Sequence, residues 1–206
     1  MFDAARPEPE APRTFRLGVV PGATPGKWID AWKKRMPHVS IDLVPIEVST
    51  QRAALDEVDA ALVRLPLRDD DAFHVIALYD EVPVVVAAAD SHLMAVEELT
   101  PADLVGETLI ELSDDVFGPL DLPGTTPARF SALTTGEAVV TAASGVGIVI
   151  VPMSLARLHH RKDADHRLLT DGPVSTVAFA WNREHTTPDV ETFIGIVRGR
   201  TANSSR

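Results

Sequence analysis

The stretch Phe15 to Pro66, FRLGVVPGATPGKWIDAWKKRMPHVSIDLVPIEVSTQRAALDEVDAALVRLP, constrains the fold of this chain more than any other. Apolar runs at Arg16 to Val20, Ile41 to Val48 and Asp59 to Arg64 read as strands, and the segments between them carry helical spacing. Such alternation is the grammar of a parallel sheet, whose neighbouring strands need a crossover helix and cannot be joined by a tight turn. The third run is almost unbroken in its apolarity, which suits a strand covered on both faces.

The first helix is predicted from Pro25 to Met36, with Thr24 as N-cap and Pro25 at the first helical position. Trp28, Trp32 and Met36 then share one face, and Lys33, Lys34 and Arg35 sit where they complement the helix dipole. Pro37 ends it. A short helix, Gln51 to Glu57, leads into the third strand.

Beyond an acidic turn, Arg68 to Asp71, a further strand is expected at Val82 to Ala89, followed by DSHLMAVEELTPADLVGETLIEL. There Thr100 caps a helix, Pro101 opens it and Gly106 closes it. Ser113 to Arg129, rich in Asp, Gly and Pro, reads as an irregular loop. In TTGEAVVTAASGVGIVIVPMSLARL, Thr134 and Glu137 form a capping box, Gly145 stops the helix, and Val146 to Val151 is a buried strand. Val174 to Trp181 reads as a strand, and a last helix from Pro188 to Arg198 buries Val190, Phe193, Ile194 and Val197.

In element order and in these strings the chain resembles the effector-binding domain of LysR-type transcriptional regulators over roughly residues 15 to 198. Ser91, His92 and Leu93 fall where that family crosses from its first lobe to its second, although the family often has a His-Pro pair there, and the turn after the first strand is shorter here. The resemblance implies an α/β fold of two Rossmann-like lobes joined by two crossing strands, of the type II periplasmic-binding-protein kind. Lobe I is expected at residues 14–88 plus 176–198 and lobe II at 89–175, with a disordered tail at 1–13 and a frayed end at 199–206. In the family a helix-turn-helix domain and a linker helix come first, where this chain has MFDAARPEPEAPRT. The expected role is therefore a small-molecule sensor that works with a DNA-binding protein in trans. The alternatives are an interaction subunit that has lost its effector, and a cytoplasmic binding protein or enzyme on the same scaffold.

Charge supports the absence of direct nucleic-acid binding, since a formal net charge of -11 repels a polyanion. There are no cysteines, so disulfides, thiolate metal sites and a cysteine nucleophile are excluded. No apolar run reaches the length of a membrane span and no export signal is recognisable, which places the protein in the cytoplasm with no membrane partner. No nucleophile elbow, Walker loop, zinc-protease motif or dinucleotide fingerprint is present, so no catalytic residue and no cofactor is assigned. His159, Asp163 and His166 have the spacing of one helix face, but cations near a helix C-terminus already suit the dipole, and no metal is assigned.

In a sheet of this type ligands sit beyond the carboxyl ends of the strands, where helix N-termini offer unpaired N–H groups. The turn Pro21 to Thr24, the strand end Arg64 to Pro66, and Thr134 with Thr135 are expected to converge there. Thr24, Arg64, Thr134 and Thr135 thus form the candidate site, and their hydroxyls and guanidinium suit a small anion. Each has a plainer reading: Thr24 and Thr134 as caps only, and Arg64 as the partner of an acid in 68–71. The family resemblance further implies a homodimer in which the first helix, with Trp28 and Trp32, packs against Leu155 and Leu158 of a second copy.

Overall fold

The computed structural model of the chain describes residues 12–67, 70–120 and 122–199. Most of both expected tails, and Arg68 with Asp69 of the acidic turn, lie outside the described residues. Arg13 does not belong to a tail, because it opens the first strand.

In chain order the elements are β1 (Arg13–Val19), α1 (Gly26–Arg35), β2 (Val39–Pro45), α2 (Gln51–Ala54), β3 (Ala60–Arg64), β4 (Phe73–Glu81) and β5 (Pro83–Ala88). Then come β6 (Glu98–Leu99), β7 (Thr108–Leu109), β8 (Thr126–Pro127), α3 (Thr135–Ala143), β9 (Val149–Pro152) and α4 (Met153–Leu158). The chain finishes with β10 (Ala164–Leu169), β11 (Ser175–Asn182) and α5 (Pro188–Val197).

Two main sheets result. The first has strand order β2-β1-β3-β11-β4 and the second β6-β10-β5-β9, while β7 and β8 form a small pair of their own. Parallel pairing holds among β1, β2 and β3, as the alternation from Phe15 to Pro66 requires, but β11 runs antiparallel to both β3 and β4. The first sheet is therefore mixed.

Each sheet is covered on both faces. On one face of the first, α1 and α5 close over Phe15, Leu17, Leu62, Phe179 and Phe193. On the other lie Ile46, Leu55, Val63 and Phe73. In the second lobe α3 and α4 cover Val84, Val149 and Val151, and Leu93, Leu99 and Leu104 fill the opposite face. The capping box at Thr134 and Glu137 is formed. Past Ser144 the chain turns through Gly145 at φ 78°, a left-handed position that a residue with a Cβ rarely adopts.

Several expectations need correction. The strand expected at Val82 to Ala89 lies in the second sheet, between β10 and β9, so the first segment of lobe I ends at Glu81 and not at residue 88. β4 and β10 are additional strands; the first lies in residues left unassigned between the acidic turn and Val82. The second begins in the string whose histidines have one-face helical spacing; the helix there stops at Leu158, leaving His166 on β10 and Asp163 paired with Arg161. The supposed i, i+4, i+7 face of His159, Asp163 and His166 does not exist. Among the described residues no group of three or more His, Asp or Glu side chains could hold a metal ion.

Two further corrections concern the first helix. Thr24 is not its N-cap: Pro25 is, without a side-chain bond, because the Pro25 carbonyl already accepts from the Trp28 and Ile29 N–H groups. Trp28 and Trp32 leave almost no ring surface at the edge of the lobe, being 6% and 0% exposed. They fit because Phe15 and Phe193 offer aromatic faces: Phe15 stacks on Trp32 at 4.7 Å, Phe193 stacks on Phe15 at 5.3 Å, and the Trp32 indole donates to the Val39 carbonyl. As core residues they cannot also be interface anchors.

This cluster predicts the cost of losing it. Trp32→Ala should destabilise the chain by about 3–5 kcal/mol, read as a lower urea midpoint, whereas Glu97→Ala at an exposed position should leave the midpoint nearly unchanged.

Candidate functional site

Where the two lobes meet, the chain crosses at Val82 and again between β10 and β11, and the ends of β1, β2, β3, α3 and α4 gather beside these crossings. Arg64 closes β3 and is 1% exposed. Its Nη1 donates to Glu81 Oε2 at 2.6 Å and to Ser175 Oγ at 2.8 Å, and its Nη2 donates to the Pro21 carbonyl at 3.1 Å and Ser154 Oγ at 3.4 Å. Gln51 fixes its backbone, accepting from the Arg64 N–H and donating to the Arg64 carbonyl, both at 2.8 Å.

The partner of Arg64 is thus Glu81 and not an acid of the turn at 68–71. Sheet register is the reason: β11 places Val177 opposite Arg64 and Ser175 opposite Glu81, so both side chains come to the same end of one strand. Beside them burial pushes the Tyr79 hydroxyl up, and the Glu81 carboxylate adds to this; a hydrogen bond with the Thr24 backbone and the charge of Arg64 act in the opposite direction.

The second-lobe contribution starts at α3. Thr134 N and Oγ1 both donate to Glu137 Oε2, at 2.9 and 2.7 Å, and these bonds hold the Glu137 carboxyl below its ordinary range. Thr135 follows, 1% exposed. Its N–H donates to both oxygens of Asp114, at 2.8 and 3.0 Å, and its hydroxyl donates to Oδ1 at 2.9 Å. Next along the loop, burial raises the pKa of Asp115 and Asp114 adds to the shift, against the N–H groups of Phe117, Val116 and Gly118.

Between the lobes lie two connected hollows that share Val48, Ser49 and Val116 in their walls. The larger, about 810 Å³, is bounded by 48–53 and 64–67 of lobe I, by Asp115 to Gly118 of lobe II and by Val174 at the crossing. The smaller, about 330 Å³, opens onto Thr134, Thr135, Asp114, Glu47 and Leu155. Arg64 therefore faces one part of the cleft and the two threonines the other, while Thr24 lines neither.

The charge expected for an anion site is not free. Arg64 is neutralised by Glu81, and the start of α3 already carries the Asp114 carboxylate. Sequence reading passed over Asp114 and Asp115 because they lie in the loop of irregular composition. No local signal linked them to α3, because Asp114 reaches the Thr135 N–H from 21 residues upstream, although Asp is a ready acceptor for N–H groups at helix starts. Of the residues assigned to a dimer contact, Leu155 is 3% exposed and packs in lobe II, while Leu158 is 58% exposed.

Among the described residues no helix is long and apolar enough to cross a membrane.

Comparison with known proteins agrees with this geometry. A family described as LysR substrate binding domain matches residues 10–202. No curated protein sequence matches the chain. Solved structures do: the reduced form of the OxyR regulatory domain from Pseudomonas aeruginosa is 21% identical, with 92% of this chain and 96% of that one covered and a TM-score of 0.69. The BenM effector-binding domain with its effector benzoate is 20% identical, with 92% and 95% covered and a TM-score of 0.72. An oxidised form of OxyR is 21% identical, with 94% and 98% covered and a TM-score of 0.70.

Two measurements probe the site's electrostatics. Glu81→Ala strands a buried guanidinium and should cost about 3–5 kcal/mol, whereas the double change Arg64→Met with Glu81→Leu should recover most of that loss; urea unfolding of the three chains decides. Asp115 is the opposite case, with a folded pKa above its unfolded value, so its charged form opposes folding at neutral pH. Asp115→Asn should raise the melting temperature there, and the gain should disappear as pH falls until both states hold a protonated Asp115.

Proposed function

The chain belongs to the LysR substrate-binding domain family, and from that premise we propose that it is a small-molecule-sensing regulatory module whose effector occupies the inter-lobe cleft. The observation that carries this reading is the cleft itself, about 810 Å³ with walls from both lobes and the crossing beside it. A ligand that touches both walls favours one relation of the lobes over another, and such a differential affinity is what turns binding into a signal. The similarity to a BenM domain described with its effector benzoate supports a small molecule as the kind of effector.

Contact with DNA is assigned to a DNA-binding partner, because a net charge of -11 gives this chain no field for phosphates. The module works in the cytoplasm and as a homodimer in this reading. Its dimer contact uses Leu158 and the polar outer face of α1, such as Lys27 and Lys33, since the tryptophans are engaged in the core.

A thermal-shift screen of small metabolites tests the sensor. An effector at one hundred times its dissociation constant should stabilise the fold by about 2.7 kcal/mol, and Ser49→Trp, which fills the junction of the two hollows, should abolish that response. A response untouched by Ser49→Trp would place the ligand elsewhere. In a mobility-shift assay at low salt the purified chain alone should form no sequence-dependent complex, and light scattering should give the mass of a dimer.

A further inference from the structure

A helix start that opens on a cleft is a ready seat for a carboxylate, because its first N–H groups lack partners within the helix. At α3 that seat is taken by the chain itself. The Thr135 N–H and hydroxyl both donate to Asp114, the Thr134 hydroxyl donates to Glu137, and the Glu137 N–H donates to Thr134 Oγ1. Asp114 reaches this point from a loop 21 residues upstream, and its carboxylate stands where an effector's anionic group would have to lie.

The rest of the cleft does not offset that charge. Arg64 is spent on Glu81, and Arg52 pairs with Asp56 while lying over the Phe73 ring. Glu47, Asp114 and Asp115 all line the cleft, and none has a cation in ion-pair range among the described residues. The His159 ring packs against Gly136 at the same helix start. An incoming carboxylate at the α3 start would thus meet a like charge at close range, and among the described residues no cation pairs with Asp114 to offset it.

We propose that Asp114 is a built-in occupant of the anion seat, so that the cleft admits neutral or cationic effectors, and that Asp114 is the residue that sets this preference. The proposal rests on the cleft being the effector site, and it replaces the anionic ligand expected from sequence. Specificity here comes from repulsion as much as from attraction, since a filled seat discriminates without any contact to the preferred ligand.

The test uses three probes of one shape and different charge, benzoate, benzamide and benzamidine, in thermal-shift titrations in one buffer. Benzoate should leave the unmodified chain unshifted at concentrations where benzamide or benzamidine stabilises it. Asp114→Ala should gain a benzoate response, with apparent affinity improved about tenfold or more, and adding Thr135→Val, which removes the hydroxyl donor but keeps the N–H, should reduce that gain. Because the variant gains a response, loss of folding cannot imitate the result. Should Asp114→Ala not fold, Asp114→Asn, which keeps one acceptor for Thr135 but no charge, must show part of the gain.

A benzoate response of equal size in the unmodified chain overturns the proposal, as does a folded Asp114 variant that stays blind to benzoate. The proposal also falls if none of the three probes shifts the unmodified chain and Asp114→Ala gains nothing. Ser49→Trp separates this from the broader reading: if it removes a benzoate response of the unmodified chain, the cleft is still the effector site and only the charge preference is wrong. If it leaves every response intact, the effector site itself is misplaced.

Discussion

Arg64 and Glu81 form a buried ion pair, and the relation between the lobes depends on it. A guanidinium with 1% exposure survives only if its charge is met and its donors are used. Glu81, at the end of β4, meets the charge; Ser175 at the start of β11, the Pro21 carbonyl and Ser154 on α4 take up the donors. Among the described residues Nε alone is left without a partner. Both chain crossings and the facing helix of the second lobe are thereby tied to one side chain.

The turn above Arg64 shows how closely the lobes must approach. Gly22 adopts φ 83°, and a Cβ there would lie 2.5 Å from Ser154 Oγ and 3.1 Å from Leu155 Cδ2. A larger residue would have to displace the Ser154 hydroxyl and the Arg64 and Leu155 side chains and also hold a left-handed φ, so the glycine serves close approach as well as backbone freedom. With the lobes held at this seam the hollows beside it remain open, because Val48 to Ala53 on one wall and Asp115 to Gly118 on the other do not close over them.

Within that cleft the helix starts do two things at once. Thr134 closes a capping box that is wholly local, while Thr135 receives a carboxylate from a distant loop. The first stabilises α3; the second places a carboxylate at the mouth of the cleft, which in the proposed sensor sets the charge of the effector. A residue expected to contact ligand from its place in the fold can therefore be present, correctly oriented and already occupied.

The sequence by itself determined what local chemistry determines. The alternation from Phe15 to Pro66 set the parallel strands β1 to β3, Pro188 and the apolar spacing after it set α5, and Thr134 with Glu137 set the start of α3, because propensity, capping and periodicity act over a few residues. Family resemblance added the two-lobed plan. Only the tertiary structure decided that β5 joins the second sheet, that Trp28 and Trp32 are core, that Arg64 pairs with Glu81 17 residues away, and that Asp114 reaches Thr135. Those outcomes depend on which strand ends are brought side by side, and a polar or aromatic side chain takes its partner from whatever packing places next to it, not from its neighbours in the chain.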